Sequence, residues 1–201
     1  MPKILAVAGS LRKDSYNKRV LDIAVEGALA VGGDVTVIDL LDLPLPIYNA
    51  DVDESEGFCP NALALQDEFA AHDGFLIASP EYNGSIPGGF KNAIDWISRK
   101  SEKYEKNGVF TGKVAAMITA SPGSFGGIRC LGHLRGVLSI MGVTVLPSEI
   151  AVTFAAQKFD GNSRQINDEK MKHLLQNLGA ELVSALKRTE AAIGFVSDTS
   201  I

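Results

Sequence analysis

Cysteine, histidine and tryptophan are scarce: two, three and one in 201 residues. Cys59 and Cys130 lie far apart, and nothing else suggests secretion, so two buried thiols are expected rather than a disulfide. His72, His133 and His173 fall on three different predicted helices. No His-x-x-x-His or Cys-x-x-Cys pair exists, so no metal site is expected, and the histidines read as surface or interface residues. Basic residues are outnumbered by acidic ones, 19 to 24, for a net charge of −5. Nonspecific nucleic-acid binding needs a basic face, so that class is set aside. A local basic pocket for one small anion is not excluded. No apolar window approaches the length of a membrane span. The short run after Met1-Pro2-Lys3 gives way too soon to polar residues for a signal peptide. A cytoplasmic protein with no nucleic-acid or membrane partner is the expectation.

Familiar chemical motifs are missing as well. G-x-G-x-x-G does not follow the first apolar run, and G-x-x-x-x-G-K-[ST] occurs nowhere, which disfavours dinucleotide and triphosphate loops. G-x-S-x-G is absent, so a serine-hydrolase elbow lacks support.

What is present is ordinary globular composition, 46% hydrophobic and 21% charged, in a strongly ordered pattern. Apolar runs at 3–8, 34–40, 75–79, 113–121 and 143–152 read as strands, the last bent or broken at Pro147. Between them, helical spacing places helices from Asn17 to Gly32, over 61–74, from Gly88 through "FKNAIDWISR", and over "CLGHLRGVLSIMG". Residues 41–60, 101–108 and 157–168 read as loops. A last amphipathic helix runs over 169–188. The domain reading is one domain over 1–188 with a loose tail at 189–201. Alternating strands and helices predict an α/β fold with a single parallel sheet between two helical layers. Five strands favour the flavodoxin-like order 2-1-3-4-5.

In such a sheet ligands bind at the carboxyl ends of the strands, where the strand order reverses. Three unusual loops leave those ends: "GSLRKDSYN" (9–17), "SPEYNGSIPGG" (79–89) and "ASPGSFGGIR" (120–129). The first meets a helix start, whose unpaired N–H groups suit an anion. Ser10, Arg12, Ser15 and Asn17 add donors that match a terminal phosphate. Lys13 could equally face solvent or add charge beside it. In the second loop, backbone N–H groups can meet a planar heterocycle that Tyr82 borders. The third has glycines that allow close backbone approach. Lys91 and Asp95, at i and i+4, read as a helix ion pair. Trp96 lies off its helix's main stripe and is expected to pack at a second surface. The loops carry no histidine and no evident nucleophile, as expected when a cofactor does the chemistry.

"GSLRKDSYN" followed by "PEYNGSIPGGFKNAIDW" resembles the NADPH-dependent FMN reductase family, particularly its quinone and chromate reductase branch. The likeness covers most of the chain, including the loop at 49–60 and "GGIRCLGHLR" at 126–135. It implies a flavodoxin-like fold, bound FMN, and NADPH or NADH as electron donor. By motif position, Ser10, Leu11, Arg12, Ser15, Tyr16 and Asn17 belong to the FMN phosphate site. Pro80, Glu81, Tyr82, Asn83 and Gly84 belong to the ring site, largely through backbone, and Ser121 borders it. No catalytic side chain is implied. The acceptors would be small molecules: quinones, with chromate and azo dyes as further substrates. The family is dimeric or tetrameric, which makes Arg129 and Glu149 interface candidates. Gly132 stands where relatives carry an aromatic residue. Two alternatives stay open: a flavodoxin-like electron carrier, and a reductase of free FMN.

Overall fold

The computed structural model describes residues 1–161 and 163–198, with only the backbone described over 192–198. Five strands form one parallel sheet: β1 (Lys3–Ala8), β2 (Asp34–Ile38), β3 (Gly74–Ala78), β4 (Val114–Ala120) and β5 (Thr144–Val152). Their order is β2-β1-β3-β4-β5, as expected. β1, β3 and β4 are buried on both faces except Lys3, which explains their continuous apolar runs.

Each crossover places a helix on one face. α1 (Tyr16–Ala30) and α7 (Glu169–Asp198) cover one, sealing Ile4, Ala6, Leu76, Ala116 and Ile118 beneath them. Their backbones come very close. A Cβ on Gly27 would lie 1.9 Å from Gln176 O, and one on Gly179 would lie 2.0 Å from Ala24 O. The other face carries α3 (Pro60–Ala71), α4 (Gly88–Ile97) and α5 (Ile128–Ile140) over Leu5, Val7, Phe75, Ile77 and Met117.

Pro147 bends β5 as expected. Ala115 pairs with Val145 and Met117 with Glu149, so Leu146, Pro147 and Ser148 stand opposite Ala116 alone. Proline has no N–H for the ladder. Arg135 of α5 staples the bulge, donating to Val145 O, Leu146 O and the Glu149 carboxylate.

Four readings need correction. Residues 41–60 are not one loop: they hold a 3-10 turn at Leu40–Asp42 and a helix, α2 (Ala50–Glu56), capped by Asn49. Capping by Asn49 and acidic residues in the first turn make this short polar segment helical without an apolar stripe. The 157–168 loop likewise begins inside a short helix, α6 (Ala155–Lys158), and is closed by a bridge between Phe159 and Ile166. The cysteines are both free, but only Cys130 is fully buried. His72 is buried rather than superficial, because it ends α3 with its Nδ1 2.6 Å from Glu68 O.

α7 continues past Arg188 as far as Asp198; the end of the 189–201 tail, residues 199–201, lies outside the described residues. No described helix is long and apolar enough to cross a membrane.

Trp96 packs at a second surface, as its position off the stripe suggested. It is 1% exposed. Its Nε1 donates to Pro46 O, and Tyr48 and Phe58 meet its ring edge-on at 5.0 and 5.6 Å. The long 43–58 segment is thereby fixed to α4. Trp96→Ala is expected to cost about 3–5 kcal/mol, the range for deleting a large buried aromatic. Urea unfolding followed by circular dichroism measures it.

Candidate flavin site at the carboxyl edge of the sheet

The first loop begins where β1 ends. Gly9 N donates to Ala78 O, so the chain stays in register with β3 for one more residue before it turns. Ser15 then caps α1, its Oγ accepting from Asn17 N at 3.2 Å. The first turn of α1 carries no acidic residue, so nothing in it competes with an anion. Ser10 is buried, with its Oγ accepting from Arg12 N, while Leu11 and Arg12 are exposed. Serine hydroxyls, an exposed guanidinium and a helix start form a donor set that suits a phosphate.

The Asn17 and Tyr16 side chains also have partners within the chain. The Asn17 side chain is buried and bonds the end of β4: Nδ2 donates to Ala120 O and Oδ1 accepts from Ala120 N, both at 2.9 Å. It is chiefly a strut between the first and third loops. Tyr16 turns toward Phe159, 6.0 Å between ring centroids, with the Arg19 guanidinium 5.3 Å from its ring. Arg19 in turn donates to Gly161 O.

The second loop is a tight turn. Tyr82 N donates to Ser85 O and Ser85 N to Tyr82 O, with Asn83 and Gly84 at φ of 51° and 78°. Asn-Gly is the pair that tolerates two left-handed residues in succession. Pro80 is buried at its base, and Tyr82 stands 45% exposed at its tip.

Glu81 is the feature the sequence hid. It lies 48 residues from Arg129, yet its Oε2 accepts from Arg129 N at 2.9 Å and from Cys130 N at 3.4 Å. Its Oε1 meets the Arg129 guanidinium at 3.1 Å. The carboxylate therefore caps α5, whose own N-cap, Gly127, has no side chain to do so. A second tie follows one turn on, where His133 Nδ1 lies 2.9 Å from Ser85 Oγ.

The third loop folds back on β5. Ser121 N donates to Val152 O, and Phe154 N and Ala155 N donate to Gly123 O and Ser121 O. Ser121 Oγ accepts from Gly123 N. Gly127, at φ 94°, fits where a Cβ would sit 2.2 Å from Thr119 Oγ1. Arg129 also spans the exposed Phe125 ring at 4.6 Å.

Strand order thus brings the three loops together, and side-chain bonds join them in a chain: first to third through Asn17, second to third through Glu81. An exposed shelf results, with donors at one end and a rigid turn at the other. A cavity away from this edge has different chemistry. It measures about 350 Å³ and lies at the amino edge of the sheet, beside Met1, Asp73 and Lys113. There Lys113 donates to Ala70 O and His72 O at the end of α3, and burial pulls its amine below the usual lysine range.

Residues 2–157 match the NADPH-dependent FMN reductase family. This chain belongs to that family. It is 38% identical over 179 residues to an NAD(P)H-dependent FMN reductase of Pseudomonas aeruginosa, covering 89% of this chain and 92% of that one. It is 34% identical over 183 residues to a quinone reductase of Escherichia coli, with the same coverage. Among solved structures, the flavoenzyme NAD(P)H:(acceptor) oxidoreductase of Paracoccus denitrificans superposes with a TM-score of 0.78 at 28% identity. That match covers 94% of this chain and 99% of the other.

Two expected outcomes follow from this geometry. Asn17→Ala strands the N–H and the carbonyl of Ala120, and should cost about 2–4 kcal/mol in urea unfolding, with each unpaired buried group contributing about 1–3 kcal/mol. Cys59 should react with a disulfide reagent such as DTNB in the native protein, whereas Cys130 should react only on unfolding. Burial pushes the Cys130 thiol up, outweighing its bond to Ser79 Oγ, so thiolate is scarce near neutral pH.

Proposed function

We propose that this oxidoreductase holds FMN across the three loops and uses NADH or NADPH to reduce quinones. The observation that carries the reading is the shelf itself: a helix whose first turn bears no acidic residue and a rigid turn at the switch point of the sheet, in a chain of this family. Ser10, Arg12, Ser15 and the backbone around Leu11 and Tyr16 would hold the phosphate. The Asn17 strut would keep that cradle against β4. The backbone of Glu81, Tyr82, Asn83 and Gly84 would meet the ring, with Ser121 beside it.

Bound FMN supplies the hydride chemistry that couples a nicotinamide to an acceptor. The chain's part is to bind and orient. Ser15 fixes the helix start toward the phosphate, and Pro80 sets the direction in which the turn leaves β3. Tyr82, exposed beside the shelf, offers an aromatic edge to a planar acceptor. We also propose a homodimer or homotetramer. Arg129 and Glu149 are each paired within the chain, to Glu81 and Arg135. Ile128 and Ile140, 52% and 84% exposed on α5, give an interface apolar surface to bury. Size-exclusion chromatography with light scattering tests this, and a monomer would refute it.

The functional test is direct. Protein reconstituted with FMN should show a flavin spectrum that bleaches on anaerobic addition of NADH or NADPH without any partner protein, and recovers on adding a benzoquinone. Absence of bleaching sinks the enzyme reading and favours a carrier. Arg12→Ala should weaken FMN binding by about 1–3 kcal/mol, the scale of a charged hydrogen bond. Riboflavin, which lacks the phosphate, should bind the variant as it binds the wild type. Equal FMN affinity in the two proteins removes Arg12 from the phosphate site.

A further inference from the structure

We infer that Glu81 is the positioning residue of the ring site, its side chain acting through its grip on α5 rather than by touching the ligand. The inference rests on the proposed flavin reading. Its basis is how few polar bonds hold the Tyr82–Ser85 turn among the described residues, although Ile86 packs on the core and Pro87 is buried where α4 begins. Beyond buried Pro80, the Tyr82–Ser85 turn projects outward, with Tyr82 and Asn83 exposed. Its polar ties to the rest of the chain lead to α5: the Glu81 carboxylate on the first turn, and Ser85 Oγ on His133.

The Glu81 side chain is only 13% exposed, and its two oxygens meet three donors. Two of those donors are backbone N–H groups, fixed in direction by the helix. Their bonds therefore set a geometry, whereas the half-exposed Arg129 guanidinium adds charge but little direction. The fit is close on the other side too. A Cβ at Gly127 would lie 3.4 Å from Glu81 Cβ and would strike Thr119. Any residue larger than glycine at 127 would clash with Thr119 Oγ1 and strain a left-handed backbone, with Glu81 Cβ already in van der Waals contact. α5 is the direct continuation of the third loop. A carboxylate gripping its first turn therefore joins the ring loop to the Ser121 loop as one body. Backbone groups presented by that body stay aligned without a ligand, which lowers the ordering cost of binding.

The consequence is specific to the ring end. Loosening the grip should weaken FMN and riboflavin alike, whereas Arg12 acts on FMN alone. The experiment titrates flavin-free wild type, Glu81→Ala and Glu81→Gln with both flavins. It also follows amide hydrogen exchange at Arg129 and Cys130 before flavin is added. In Glu81→Ala both affinities should fall by the same factor, on the order of tenfold, the scale of a lost charge-assisted bond. Exchange at the Arg129 amide should quicken, whereas the Cys130 amide keeps its shorter 3.0 Å bond to Gly127 O and serves as the internal control. Glu81→Gln keeps an acceptor oxygen for the helix start and should recover part of both affinities.

An unchanged riboflavin affinity in Glu81→Ala overturns the inference, as does unchanged exchange at Arg129. A glutamine variant as weak as the alanine variant overturns the claim that the accepted bonds carry the effect. Wild-type protein that binds neither flavin overturns the functional reading, and this inference with it. Wild-type binding with Glu81-independent affinity overturns the inference alone.

Discussion

The carboxyl edge of the sheet depends on one buried amide. Asn17 completes both backbone bonds of Ala120, the last residue of β4, from the first turn of α1. In a parallel sheet of order 2-1-3-4-5, β1 and β4 are not neighbours; β3 separates them. Asn17 spans that gap across the top of β3. Its two contacts replace the ladder partners that a strand end lacks. They also fix where α1 starts and where the third loop departs. Ser15, one residue before the helix, and Ser121, one residue after the strand, inherit their positions from that bond.

Glu81 performs the same office on the other side. Together the two side chains explain why an open, loop-built shelf can be rigid. Loops ordinarily carry function at the expense of order. Here each loop contributes one polar side chain to a neighbouring element, or receives one. The ordering is done by the fold and does not wait for a ligand.

This division also marks what the sequence shows and what it hides. The strands were legible because β1, β3 and β4 are buried on both faces and read as unbroken apolar runs. The turn was legible because Asn83-Gly84 is a local signal, needing nothing beyond its own backbone. The cap by Ser15 is local too. Glu81 was not legible, because its partners lie 48 and 49 residues away. Nothing near it marks it as a cap, and α5 shows only the lack of one, at Gly127. That missing cap is a signal to seek in advance: a helix that begins without a capping side chain in a crowded region implies a donated one. The bond from Asn17 to β4 was hidden for a related reason. The residue's motif position suggests a ligand donor, but a buried amide must first satisfy its own hydrogen bonds. α2 escaped notice because a short capped helix of acidic residues has no apolar period to read.

The pattern of commitments bears on what kind of site this is. Several polar side chains here are already bound to protein: Glu81 to α5, Asn17 to β4, His133 to Ser85, and Arg129 to Glu81 and Phe125. A group so engaged is poorly placed to take a proton from a substrate or give one up. The Cys130 thiol is buried and held away from its reactive thiolate. Among the described residues, the groups that face outward there include backbone N–H, serine hydroxyls, the Arg12 guanidinium, the Lys13 amine and the Tyr82 phenol. Such groups hold anions and ring edges. Much of the polar chemistry of the edge serves shape, and under the proposed reading the bound flavin supplies the reactivity.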